Sequence, residues 1–441
     1  MTFYGVCHSR EACPHESGER ESILIYYPIN YLMPIRWEFG RIPILRGDYG
    51  CASRREGCVI EDDKMKRVFI SRIVITIILF LCVNAYSDIS FSGSAYNETS
   101  LINRDDSVRY GNRNALHLKG ESLSEGIKLI SELEFYMMYG YLSSLSSEVS
   151  ESVKDGRFYI DRLYMKFPVR KVDIVLGKQR IAWGSSYLFR PTDTFNKPNP
   201  LSLSGRKEGV NALFAKASIN DLSALEFVVA PADMFKSING EVNLEHLCYS
   251  KFASRLSTNF HNSDMAFSYL YDGSEKNHIL GFDMKGDIKL GYHVETTFTY
   301  NKKSFKTEDF ENFLQSVLGL DYSFNGKWIV LGEYFYNGRG LKNETKLSDS
   351  SFNLLEDFKY RHYLYSQVVY QYDIFLKANL FAIMNVVDKS LIISPGIDYD
   401  LFQNADLQVY SQIFVGDEND EFSPSRLGVN QIFYIKLTVK F

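Results

Sequence analysis

Phe433-Tyr434-Ile435-Lys436-Leu437-Thr438-Val439-Lys440-Phe441 closes the sequence. Every second residue from Phe433 is apolar, and the residues between are amphipathic or polar. A period of two puts one set on each face of a β-strand. The pattern recurs upstream. Leu376, Ala378, Leu380, Ala382 and Met384 alternate with Lys377, Asn379, Phe381, Ile383 and Asn385. Leu407, Val409, Ser411, Ile413 and Val415 alternate with Gln408, Tyr410, Gln412 and Phe414, and Leu163, Met165 and Phe167 with Arg162, Tyr164 and Lys166. Each segment has about the ten-residue length of a tilted strand crossing a bilayer.

Alternation alone fits a soluble β-sandwich or β-helix as well as a membrane barrel, because either buries or lipidates one face. The connections separate the readings. Long gaps fall at 97–112, 141–155, 179–206, 231–246, 301–312, 337–357 and 416–428. Short ones fall between them, at 168–170, 218–221, 285–287 and Asn325-Gly326, the last a strong hairpin signal. Long loops at one end and tight turns at the other are the habit of transmembrane barrels. Pro168, Pro191, Pro198, Pro200, Pro231 and Pro424 fall in connections, and Pro395 inside a strand. The expected fold is all-β: a transmembrane antiparallel up-and-down β-barrel of about 18 strands. Sixteen is the alternative, because the connections at 272–276 and 387–388 are short.

Composition agrees. The 441 residues hold 30 Tyr and 32 Phe against 3 Trp, a load suited to aromatic girdles at the membrane interfaces. Tyr322, Phe324, Tyr370, Tyr372 and Tyr399, near strand ends, are the candidates. No stretch after residue 84 approaches the length of a membrane helix. A formal net charge of −5 and the lack of a basic stripe exclude a nucleic-acid partner.

The N-terminal region reads differently. Residues 1–64 carry Cys7, Cys13, Cys51 and Cys58, without zinc-type spacing. Then Met65-Lys66-Arg67, a short apolar run over 73–83 and Ala85-Tyr86-Ser87 form the basic, hydrophobic and small-residue parts of a secretory signal peptide. The expected organisation is a doubtful extension over 1–64, upstream of a natural start at Met65, a signal peptide over 65–87 and a barrel over 88–441. A genuine Cys-containing extension is the alternative. The barrel would contain Cys248 alone and hence no internal disulfide.

The strand ending on Phe441 resembles the C-terminal signature of bacterial outer-membrane barrels, in which the terminal aromatic is read by the barrel-assembly machinery. The longest connection, 179–206, contains Gln179-Arg180-Ile181-Ala182-Trp183-Gly184, Arg190-Pro191-Thr192-Asp193 and Phe195-Asn196-Lys197-Pro198. This wording resembles porin-like barrels and is similar to the alginate-export porin group. The resemblance covers residues 88–441 loosely and this loop more closely. It implies an outer-membrane location, contact with outer-membrane lipids and passive diffusion of small hydrophilic solutes. By analogy with general porins, it also implies a homo-oligomer and a third external loop folded into the lumen.

A wide barrel needs such a loop to be selective, since fixed charges at a constriction decide which ions pass. The candidates are Arg180, Arg190, Asp193, Lys197, Arg206 and Lys207. Five of the six are basic in an acidic chain, which points to anions or acidic sugars; a solvated outer loop is the competing reading. Trp183, Gly184, Pro191, Asn196 and Pro198 are expected to shape the loop. Arg162, Lys166, Glu333, Arg361, Gln367, Lys377 and Asp398 are expected on the lumen wall. No HExxH, G-x-S-x-G or phosphate loop occurs, so neither enzyme activity nor a cofactor is expected. A non-conducting surface barrel with an adhesive or envelope role is the alternative function.

Overall fold

The computed structural model describes residues 88–104, 107–140, 156–196, 209–231, 249–301, 312–344 and 358–441. Both the 1–64 extension and the 65–87 leader lie outside them.

Backbone pairing builds one closed sheet from β1 (Asp88–Arg104), β2 (Ser107–Ser124), β3 (Ile127–Gly140), β4 (Gly156–Val169), β5 (Val172–Gln179) and β6 (Val210–Asn220). It continues through β7 (Ser223–Ala230), β8 (Lys251–Phe260), β9 (Ser263–Asp272), β10 (Asn277–Asp287), β11 (Gly291–Asn301) and β12 (Phe313–Phe324). The circuit ends with β13 (Trp328–Asn337), β14 (His362–Gln371), β15 (Leu376–Asn385), β16 (Leu391–Phe402), β17 (Ala405–Val415) and β18 (Gln431–Lys440). Each strand pairs antiparallel with the next, and β18 closes on β1 from Lys440 opposite Ser94 to Gln431 opposite Asn103. This is an 18-stranded up-and-down barrel, so every strand has a paired neighbour on both sides. Phe441 extends the closure: its N–H donates to the Gly93 carbonyl at 3.0 Å, and Gly93 N–H donates back at 2.8 Å.

Side-chain period sets the two faces. Leu437, Val439, Leu380, Leu318 and Phe267 point outward and stay exposed, as lipid-facing residues do. Their neighbours on the same strands point inward. Arg113 pairs there with Glu134 at 2.9 Å, Arg162 with Glu132 at 3.3 Å, and Arg255 with Asp283 at 3.0 Å. At the end carrying Asp88 and Phe441, Tyr322, Phe324, Trp328 and Tyr370 form a run of ring contacts on the outer surface.

The turns at that end are tight. Asn325 and Gly326 both have positive φ (55° and 64°), as do His261 and Asn262 (49° and 60°). Two consecutive left-handed residues match the right-handed twist of the flanking strands. Two details depart from the sequence reading. The long gap expected at 97–112 is strand: β1 and β2 run on and pair as far as Arg104 opposite Ser107. Asn97, Asn103, Asn112 and Asn114 break the apolar alternation there, but the ladder needs only backbone groups. Pro168, expected in a turn, is the penultimate residue of β4, opposite Asp173. Pro395 does lie in β16. Its pairing with β17 lapses between Ile393–Ile413 and Gly396–Tyr410, which tolerates the missing N–H.

Candidate channel constriction

The chain leaves β5 at Gln179, whose side-chain amide donates to the carbonyls of Val175 (3.1 Å) and Ala212 (2.9 Å). The next segment, 180–196, does not return along the rim. It packs on inward-facing side chains of β7, β11, β13 and β14.

Trp183 makes the first attachment. Its indole N–H donates to Glu226 Oε2 of β7 at 3.1 Å, and its ring meets Phe195 edge-on at 5.4 Å. With Ile181, Ala212, Val228, Ala253 and Leu270 it forms an apolar cluster inside the barrel. Gly184 then turns the chain with φ 93°. A Cβ there would lie 2.5 Å from Thr192 Oγ1 and 2.6 Å from Glu295 Oε1, so only glycine lets the backbone come this close.

Two buried wall carboxyls hold the middle of the segment. Glu295 of β11 accepts from Ser186 N–H at 2.5 Å and from Thr192 N–H and Oγ1–H at 3.4 and 2.8 Å. Glu333 of β13 accepts from the N–H groups of Tyr187, Leu188 and Phe189 at 2.5, 3.0 and 3.3 Å. Buried acceptors of this kind are stable only when donors converge on them, and here the donors are loop amides. His293 Nε2 lies 2.8 Å from Glu333 Oε1. The His293 ring occupies the space a Cβ at Gly319 would need, so that glycine makes room for it. Phe189 completes the attachment by stacking on Phe335 (4.6 Å, 16°) beside Phe358 and Tyr363.

The sequence candidates fall into three groups. Asp193 and Asn196 are buried and brace the loop: Asn196 N–H donates to Asp193 Oδ1 at 3.1 Å, and Ile181 N–H to Asn196 Oδ1 at 2.7 Å. Arg190 and Pro191 are half-buried on the segment and Arg180 is exposed at its start. Neither arginine has an ion pair among the described residues. Lys197, Pro198, Arg206 and Lys207 lie outside the described residues. Glu333 faces inward as a wall residue, but Arg361 lies one residue before β14 and donates to the Gly340 carbonyl at 2.9 Å.

Sequence reasoning missed a second inward-packed connection. Residues 416–430, including the short helix α1 (Pro424–Leu427), bury Phe422, Leu427 and Val429 in the same apolar cluster as Phe189. Glu421 is buried there and accepts from Tyr363 O–H (2.6 Å), Asn385 Nδ2–H (2.8 Å) and Lys359 N–H (2.7 Å). Burial pushes its carboxyl up to about 7. No periodicity marks a loop carboxylate of this kind; only its partners reveal it. One register row runs across the inner wall as Lys377, Asp398, Gln408, Lys436, Glu98 and Arg113. Among the described residues, no group of His, Cys, Asp and Glu could hold a metal ion.

A closed antiparallel barrel with an apolar belt, a charged interior and loops packed against its inner wall has the fold of the outer-membrane porins. Solved structures similar to it include Pseudomonas aeruginosa OccK9 (OpdG), with TM-score 0.53, 12% identity and coverage of 80% of this chain and 98% of that one. Acinetobacter baumannii OccAB3 matches with TM-score 0.52, 10% identity and coverage of 80% and 99%. The outer membrane protein OprD from Pseudomonas aeruginosa matches with TM-score 0.51, 10% identity and coverage of 81% and 94%. No family model and no curated protein matches the sequence.

Proposed function

We propose that the chain is an outer-membrane channel for passive diffusion of small hydrophilic solutes, narrowed by residues 180–196. The observation that carries this reading is the attachment of that segment to Glu226, Glu295 and Glu333 on three separate strands. A segment held at this many inward points takes up lumen cross-section, and its unpaired cations then act at short range on a passing solute. Arg180 and Arg190 favour anions, and acidic sugars among larger solutes.

Export through the 65–87 leader, cleavage after Ser87 and assembly by the barrel-assembly machinery complete the proposal. The test is the reversal potential of the barrel in planar bilayers under a salt gradient. An anion-selective wild type, with selectivity reduced in Arg180→Gln/Arg190→Gln, supports the reading. Equal selectivity in the two would remove these arginines as the filter. Absence of current from folded protein would favour the non-conducting surface barrel.

A further inference from the structure

Tyr363 of β14 is completely buried, and both inward-packed connections press on it. On one side its ring centroid lies 6.2 Å from that of Phe189 in the 180–196 segment. Phe358 bridges the two, 4.6 Å from Tyr363 and 5.0 Å from Phe189. On the other side Tyr363 lies 6.4 Å from Phe422 of the 416–430 connection, and its O–H donates to Glu421 Oε2 at 2.6 Å. Glu333 holds Phe189 by its N–H, whereas this aromatic group holds its ring.

Glu421 and Phe422 tie further segments to the same group. Glu421 Oε1 accepts from Lys359 N–H at 2.7 Å, one residue after Phe358. Asn385 Nδ2 donates to Glu421 Oε2 at 2.8 Å, and Glu421 N–H donates to Asp388 Oδ2 at 2.8 Å. Phe422 N–H donates to Ser390 Oγ at 3.2 Å. Close-packed side chains do not shift singly, because a gap beside one forfeits contacts on its neighbours. Withdrawing 416–430 therefore removes one wall of the packing around Tyr363, and Tyr363 and Phe358 are what the Phe189 ring leans on.

We propose that the 416–430 connection is a latch on the constriction, with Glu421 and Phe422 as positioning residues that act on Phe189 through Tyr363. This rests on the channel reading, in which 180–196 narrows the lumen. Release of the latch leaves the bonds to Glu226, Glu295 and Glu333 in place, so the segment stays inside while the stretch around Phe189 gains freedom. Protons set the latch. Around Glu421 stand Tyr363 of β14, Asp388 of the 386–390 connection, Arg426 of α1 and the Lys359 N–H. Burial first, and Asp388 with it, raises the Glu421 carboxyl to about 7 against the other three. The docked latch thus keeps its proton and loosens as pH rises past that value.

The test is backbone hydrogen exchange at 186–190 in folded barrel, corrected for intrinsic rate, with heat-modifiable gel mobility reporting folding. Phe422→Ala, and independently Glu421→Ala, should speed exchange there several-fold while the strands beneath are unchanged. Wild type should exchange several-fold faster at 186–190 at pH 8 than at pH 5, and Glu421→Gln should lose most of that difference. Unchanged exchange at 186–190 in the folded alanine variants, or a pH difference that survives in Glu421→Gln, would overturn the latch. Single-channel current is recorded on the same samples. Exchange that follows the latch while no sample conducts would support the latch and sink the channel reading, so the two failures are distinguishable.

Discussion

Tyr187 and Glu333 lie far apart in sequence, and the backbone N–H of the first donates to Oε1 of the second at 2.5 Å. With Leu188 and Phe189 bonded to the same carboxyl, one wall residue fixes three successive loop residues. Glu333→Leu removes both acceptor oxygens, and with them three bonds, while leaving the barrel ladder intact. Each lost bond to a buried carboxyl is worth about 1.5–3 kcal/mol, so the loop should detach locally rather than the barrel unfold. Single-channel recording is expected to show larger and noisier conductance. A trace matching wild type would show that Glu333 does not hold the loop.

Trp183 is the anchor at the other end. Its ring is almost completely buried, and truncating a buried aromatic costs about 3–5 kcal/mol. Trp183→Ala is expected to lower the temperature at which the heat-modifiable gel band converts, and Trp183→Phe to recover the packing but not the bond to Glu226. If the alanine variant converts at the wild-type temperature, the ring is not a stabilising wedge.

Glu421 makes docking of the 416–430 connection depend on pH. Its carboxyl, raised to about 7 by burial, holds its proton in the folded state at a pH where the unfolded chain has lost it. Its contribution to stability is therefore complete below the ordinary carboxylate range and is lost as pH rises through about 7. Hydrogen exchange, corrected for intrinsic rate, should show 416–430 better protected at about pH 5 than at about pH 8, with the difference reduced in Glu421→Gln. Protection that is independent of pH in the wild type would contradict this.

The barrel was legible because its signal is carried by lipid: exposed apolar residues at every second position are visible in Leu376–Met384 or Phe433–Phe441 without knowing their neighbours. The same rule misread 97–112, where outward amides break the alternation although the backbone pairs normally. The constriction was legible only in part. Trp183, Gly184, Asn196 and the arginines stand out in one unusual loop, but Glu226, Glu295 and Glu333 come from distant strands and look like any inward polar residue. Their role exists only once closure brings them beneath 180–196.

Phe441 is the proposed assembly signal. Its ring fills the space beside Gly93, where a Cβ would lie 2.7 Å from it and from the His117 carbonyl. Deleting Phe441 is expected to lower the folded fraction recovered from the outer membrane, and Gly93→Leu to do the same without touching the terminus. Normal recovery of the deletion would separate the terminal aromatic from assembly.

The most direct test of the account is the single-channel conductance of folded barrels in which residues 182–194 are replaced by a short Gly-Ser linker. With the segment occupying the lumen, conductance should rise several-fold over wild type while the barrel remains heat-modifiable. Equal conductance in the two would contradict it.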